Sequence, residues 1–131
     1  MGSVQVTGRL EIPRLGVSVL VVEGDEEQGL SVAAVHLAGS ARIGEKGNAV
    51  IAGHRDNAFW PLRNVKLGDV IRLRGAKAHR YAIRSIRIVS PDDVSVLENG
   101  TGSTLTLVTC YPFRHIGSSP QRFVVQAQLV S

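Results

Sequence analysis

The chain has 131 residues, room for one domain around one core, and 44% of them are hydrophobic, which excludes a disordered segment. Its net charge of +4 comes from basic residues scattered among aliphatics, and aromatics at 5% are thin cover for a base-stacking surface. A single cysteine excludes an internal disulfide framework, and no apolar stretch is long enough to span a bilayer.

Met1-Gly2-Ser3 looks like a cloning remnant. Residues 8–12 and 17–22 are β-branched and aliphatic runs separated by Pro13 and Gly16, which predicts two strands joined by a turn. Residues 26–35 read as one short helix leading to a loop at Gly39. Residues 48–52 are a short apolar strand bounded by Gly47 and Gly53. Phe59-Trp60-Pro61-Leu62 reads as a helical turn packed on the core, and residues 69–73 and 81–89 as two further strands. Ser90-Pro91-Asp92-Asp93 has the grammar of a helix start: a hydroxyl cap, proline at the first position, then acids. Residues 103–109 and 121–130 are the last strands. Short strands with one or two small helices predict a mainly β fold, a closed or nearly closed barrel.

The alternation of strand side chains puts Phe123, Val125, Ala127 and Leu129 on one face of the final strand and Arg122, Val124, Gln126 and Gln128 on the other. In the preceding strand Leu105 and Leu107 point one way, Thr106, Val108 and Cys110 the other. If the two pair across the loop of residues 111–120, Cys110 and Arg122 meet on the non-core face. The cysteine stands where a strand gives way to a loop, a position that suits a nucleophile held by rigid backbone.

A free thiol, near 8.5, needs a partner to become a good nucleophile, and histidine is the usual one. There are four histidines. His36 reads as a packing or surface residue and His79 as solvated beside Lys77 and Arg80. His54 follows the apolar strand and a glycine, so it sits at a strand end, as Cys110 does. His115, a few residues past the thiol, is the other candidate partner. Arg122 on the cysteine's side can stabilise an oxyanion with a permanently charged fork.

These residues resemble a known family. TLVTC, residues 106–110, is similar to the TLxTC signature of the sortases, cysteine transpeptidases of bacterial surfaces. NAVIAGH, residues 48–54, resembles their histidine-bearing strand, and QRFVV, residues 121–125, their arginine-bearing final strand. The three occur in the family's order, and the tail TCYPF followed by GSSPQRF looks most like class D. The resemblance implies an eight-stranded barrel with short helices, filling residues 4–131 as one catalytic domain whose natural N-terminal membrane anchor has been removed. It implies that Cys110 attacks an LPXTG-like sorting signal after its threonine and forms a thioester, that His54 moves the protons, and that Arg122 holds the oxyanion or the substrate backbone. An amine, from a cell-wall precursor or a pilin lysine, would then take the acyl group at the outer face of the cell membrane. Substrate contacts are implied for Thr106, Val108 and Thr109 in the signature and for Pro91, Val94 and Leu97 in a groove wall.

Some sortases bind calcium. Here the loop before Asn48 offers only Glu45, with Asp92, Asp93 and Glu98 on the other side, a poor acid count for a hard-oxygen cage, so no metal or other cofactor is expected. Two alternatives compete with the sortase reading. An L,D-transpeptidase would carry histidine and glycine shortly before the nucleophile, where Val108 and Thr109 stand. A non-catalytic basic barrel would bind nucleic acid or another polyanion with strong salt dependence; the sortase reading has no nucleic-acid partner.

Overall fold

The computed structural model describes residues 5–24, 34–54, 59–113 and 120–131. Within them lie eight strands: β1 (Val6–Ile12), β2 (Val17–Gly24), β3 (Ala34–Leu37), β4 (Gly47–Ala52), β5 (Val70–Arg74), β6 (Ala78–Val89), β7 (Ser103–Tyr111) and β8 (Gln121–Leu129). Three short 3-10 turns, Pro13–Leu15, Trp60–Asn64 and Val94–Leu97, connect or cover them. The strands close into a barrel in the order β1-β2-β3-β4-β7-β8-β6-β5, with β5 paired back onto β1 through Leu10 and Leu73. Closure leaves no unpaired sheet edge among the described strands.

The period of two is plain in β5, where Ile71 and Leu73 face inward while Val70, Arg72 and Arg74 face water. By contrast β4 is buried at all six positions. It runs parallel to β7 in the middle of the sheet and is covered on both sides, which is why its sequence is a nearly continuous apolar run. Leu10, Ile51, Phe59, Tyr81, Leu105 and Leu107 are fully buried in one shared core. Each such side chain contributes about 1.5–3 kcal/mol of transfer free energy.

The expected strands all form, with small shifts at their ends. Three expectations need correction. The helix read over residues 26–35 ends in a strand: Ala34 and Val35 belong to β3, which pairs parallel with β2 and antiparallel with β4. Those two ladders override the helical preference of an alanine-rich stretch too short to show a period. The rest of that segment lies outside the described residues. The helix start read at Ser90 falls later. Ser90 Oγ accepts from Asp92 N at 3.3 Å in a local turn, and Asp93 caps the 3-10 turn Val94–Leu97 by accepting from Ser95 N at 3.0 Å. Finally, β7 continues through Cys110 to Tyr111, so the cysteine lies inside the strand rather than after it.

Arg14 ties the turn Pro13–Leu15 to Asp69 just before β5 and to the turn Trp60–Asn64. Arg14 donates to both carboxylate oxygens of Asp69, Nε to Oδ1 at 2.6 Å and Nη2 to Oδ2 at 2.8 Å, and Nη2 also reaches Asn64 O at 2.8 Å. Asp69 accepts from Lys66 N as well. The Arg14 hydrogen bond, ahead of the Lys66 amide, holds the Asp69 carboxyl below its ordinary range. A depressed carboxyl adds stability that is present above its unfolded-state value, near 3.9, and lost as pH falls through the folded one. Asp69→Asn is therefore expected to lower Tm by a few degrees at pH 7, and the gap to wild type should close in melts recorded progressively below about pH 4.

Candidate active site

Cys110 and Arg122 stand on neighbouring strands at one end of the barrel, and β4, which leads to His54, lies on the other side of β7. β4 and β7 pair in unbroken parallel register from Gly47↔Ser103 to Ala52↔Val108. Gly53 N then donates to Val108 O at 3.1 Å, carrying the ladder one step further. Counting on at the same offset, His54 falls beside Cys110. On the other side of β7, Cys110 is the direct antiparallel partner of Arg122 on β8. Adjacent strands lie about 4.8 Å apart, so a row across three of them is compact.

One step down, the row Ala52, Val108 and Val124 forms the floor of a groove of about 250 Å³. Pro91, Val94 and Leu97 stand along one side, with Leu37 also in the lining and Arg122 at the rim. Val94 and Leu97 are 68% and 44% exposed, large apolar side chains left facing an open groove. A cavity of about 770 Å³ lies at the far end of the barrel, lined by the start of β1, residues 42–45 and residues 75–77. It is larger but is lined by none of His54, Cys110 and Arg122.

His54 is exposed and Cys110 and Arg122 are half-buried. Arg122 Nη1 donates to Gln121 O at 2.9 Å. The glycine before His54 is there for close approach: a Cβ on Gly53 would stand 2.8 Å from the Phe59 ring, which is fully buried. Phe59 N donates to His54 O at 3.0 Å, fixing the chain as it leaves β4. Beyond Cys110, the Phe113 ring lies 5.1 Å from Phe123 and 6.2 Å from Trp60, both edge-on.

Two expected substrate contacts do not reach the groove. Thr106 is fully buried and its hydroxyl donates to Asn48 Oδ1 at 2.6 Å. Thr109 is 3% exposed and stands on the core-facing side of β7 with Leu105 and Leu107; its hydroxyl is buried with no hydrogen-bond partner. For Thr106 the period of two gives the face correctly, but the turn Val94–Leu97 and the loop after it cover that position. Of the other histidines, His36 is buried with Nδ1 at 2.9 Å from Glu23 Oε2 and Nε2 at 2.8 Å from Ala41 O, a packing role. His79 lies against Gly44 by the distant cavity, and His115 lies outside the described residues. Leu37, Ala52 and Val124 also line the groove, and the sequence gives no sign of it because their place depends on which strands become neighbours.

Known proteins resemble this chain in both sequence and fold. A family model for the sortase domain matches residues 10–130. The chain is 33% identical to Sortase D of Bacillus subtilis over 97% of its own length, and 32% identical to Sortase A of Listeria monocytogenes over 80%. It spans 65% and 49% of those two proteins. Among solved structures, a Clostridium perfringens Sortase D5 transpeptidase superposes with a TM-score of 0.83 at 30% identity, covering 96% of this chain and 79% of that one. A polyanion-binding barrel finds no support among these relatives. The chain belongs to the sortase family, and its relatives support the class D likeness as well.

Proposed function

We propose that this chain is a cysteine transpeptidase that cleaves an LPXTG-like sorting signal after threonine and passes the acyl group to an amine. The observation that supports the reading is the direct β7–β8 pairing of Cys110 with Arg122; His54, two residues past the end of β4, falls at the offset that matches Cys110 when the β4–β7 register is continued. The Cys110 thiolate attacks the threonine carbonyl carbon, forming a carbon–sulfur bond and a tetrahedral oxyanion that Arg122 stabilises. The carbon–nitrogen bond breaks as His54 delivers a proton to the departing amine. A second amine then attacks the thioester and gives its proton to His54, and the thiolate leaves. The balance closes with one amide exchanged for another and needs no cofactor.

Arg122 also lies at the end of the groove, whose apolar floor and Pro91, Val94 and Leu97 wall suit the extended apolar residues ahead of the threonine. In this reading the amine acceptor is a cell-wall cross-bridge or a pilin lysine, and the enzyme works at the outer face of the cell membrane, anchored by a segment outside these residues. No helix among the described residues is long and apolar enough to cross a membrane.

Incubation with a fluorogenic LPXTG-like peptide should yield a covalent adduct on Cys110 with the mass of the acyl fragment, seen by mass spectrometry after acid quench. Adding a glycine-terminated amine should convert it to a ligated product. Peptide cleavage without any Cys110 adduct, or an adduct that no amine resolves, would refute the reading.

A further inference from the structure

The wall of the groove is tied to the barrel by one buried carboxamide. Asn48, on β4 and 1% exposed, donates from Nδ2 to Val96 O at 2.8 Å and to Glu98 O at 3.3 Å. Its Oδ1 accepts from the Thr106 hydroxyl on β7 at 2.6 Å. That hydroxyl in turn accepts from Gln126 Nε2 on β8 at 3.2 Å, and the same Nε2 lies 3.4 Å from Val96 O. From the loop side, Asn99 Oδ1 accepts from the Asn48 backbone N–H at 2.7 Å. The preceding residue must be glycine for this to happen: Gly47 has φ +106°, and a Cβ there would sit 2.9 Å from Asn99 Oδ1.

The orientation of the Asn48 amide follows from its partners. Both N–H groups meet carbonyls and the oxygen meets a hydroxyl, so the flipped amide would aim an oxygen at two carbonyls. Three adjacent strands thus converge on the segment that presents Val94 and Leu97 to the groove, with Val96 buried between. An apolar contact alone would let this segment slide; a fully satisfied buried network fixes it directionally.

We propose that Asn48, Thr106 and Gln126 form a polar clamp that sets the position of the Val94–Leu97 wall and through it the affinity for peptide. They are positioning residues and touch neither thiol nor substrate. The effect on turnover rests on the transpeptidase reading; the effect on the wall does not.

Asn48→Asp tests the clamp at constant size, since it turns a carbonyl-facing donor into an oxygen. Hydrogen exchange at residues 95–99 is expected to speed roughly 10-fold or more, the equivalent of one lost buried hydrogen bond, while exchange in β7 and β8 is unchanged. KM for the peptide should rise by about 10-fold with kcat nearly constant, and iodoacetamide should alkylate Cys110 at the wild-type rate. Asn99→Ala, at an exposed site, should move exchange and KM the same way; Thr106→Val should too, with Thr106→Ser restoring both. If Asn48→Asp does not fold, the Asn99 and Thr106 variants decide. The clamp is overturned if exchange at residues 95–99 and KM stay at wild-type values in the folded variants, or if kcat falls while KM holds. Should wild type turn over no peptide, the transpeptidase reading fails, and the exchange measurement still decides the clamp.

Discussion

Cys110→Ala is expected to lower kcat/KM for a sorting-signal peptide by at least about 10,000-fold, because no second group in the row can form the acyl bond. His54→Ala should lower it by about 100- to 10,000-fold, the range for a lost general acid and base. Neither loss should come from unfolding. His54 is exposed and makes its structural contact through its carbonyl, which alanine keeps. Cys110 is half-buried in a strand whose ladder to β8 alanine leaves intact. Wild-type thermal melts for both variants would therefore accompany the loss. Because thiol and imidazole act as a unit, the double variant should be no slower than Cys110→Ala alone. A Cys110→Ala protein that still cleaves the peptide at a tenth of the wild-type rate or better would remove the nucleophile assignment.

The site was legible where it depends on period and illegible where it depends on neighbourhood. Alternation alone puts Cys110 and Arg122 on the same face, and the antiparallel pair they form needs only that β7 and β8 be adjacent. The β4–β7 contact is another matter. It joins residues far apart in the chain, and no local pattern announces that a buried apolar strand will run parallel to another. His54 could be favoured only because it closes such a strand. The same blindness explains Thr106. Its face was read correctly as outward, yet outward at that level means beneath the loop after Val94–Leu97, where the hydroxyl meets Asn48. Asn48 itself looked like an unremarkable strand start. A polar residue opening an otherwise apolar run, just after a glycine, was the one available sign that something polar would be waiting above it. β3 escapes the sequence for a related reason: four residues, three of them buried, join the barrel only because β2 and β4 stand on either side.

Arg122 gives the sharper second test, since its replacement by lysine separates charge from shape. A guanidinium offers five N–H donors in a fixed plane, one of which meets the Gln121 carbonyl. If its work is to meet the oxyanion, Arg122→Ala should lower kcat by about 100- to 1,000-fold with KM little changed, because that interaction strengthens only in the transition state. Lysine keeps the charge but is a point donor on a flexible stem, and it should recover part of the rate, still roughly 10-fold or more below wild type. If Arg122 instead grips the backbone of the bound peptide, the same substitutions should raise KM and leave kcat standing. Single-turnover measurement of acyl-enzyme formation on Cys110 separates the two, since only the first slows the covalent step at saturating peptide. An Arg122→Ala enzyme with wild-type kcat and KM would take the guanidinium out of the chemistry, although it faces the thiol across a single rung of the β7–β8 ladder.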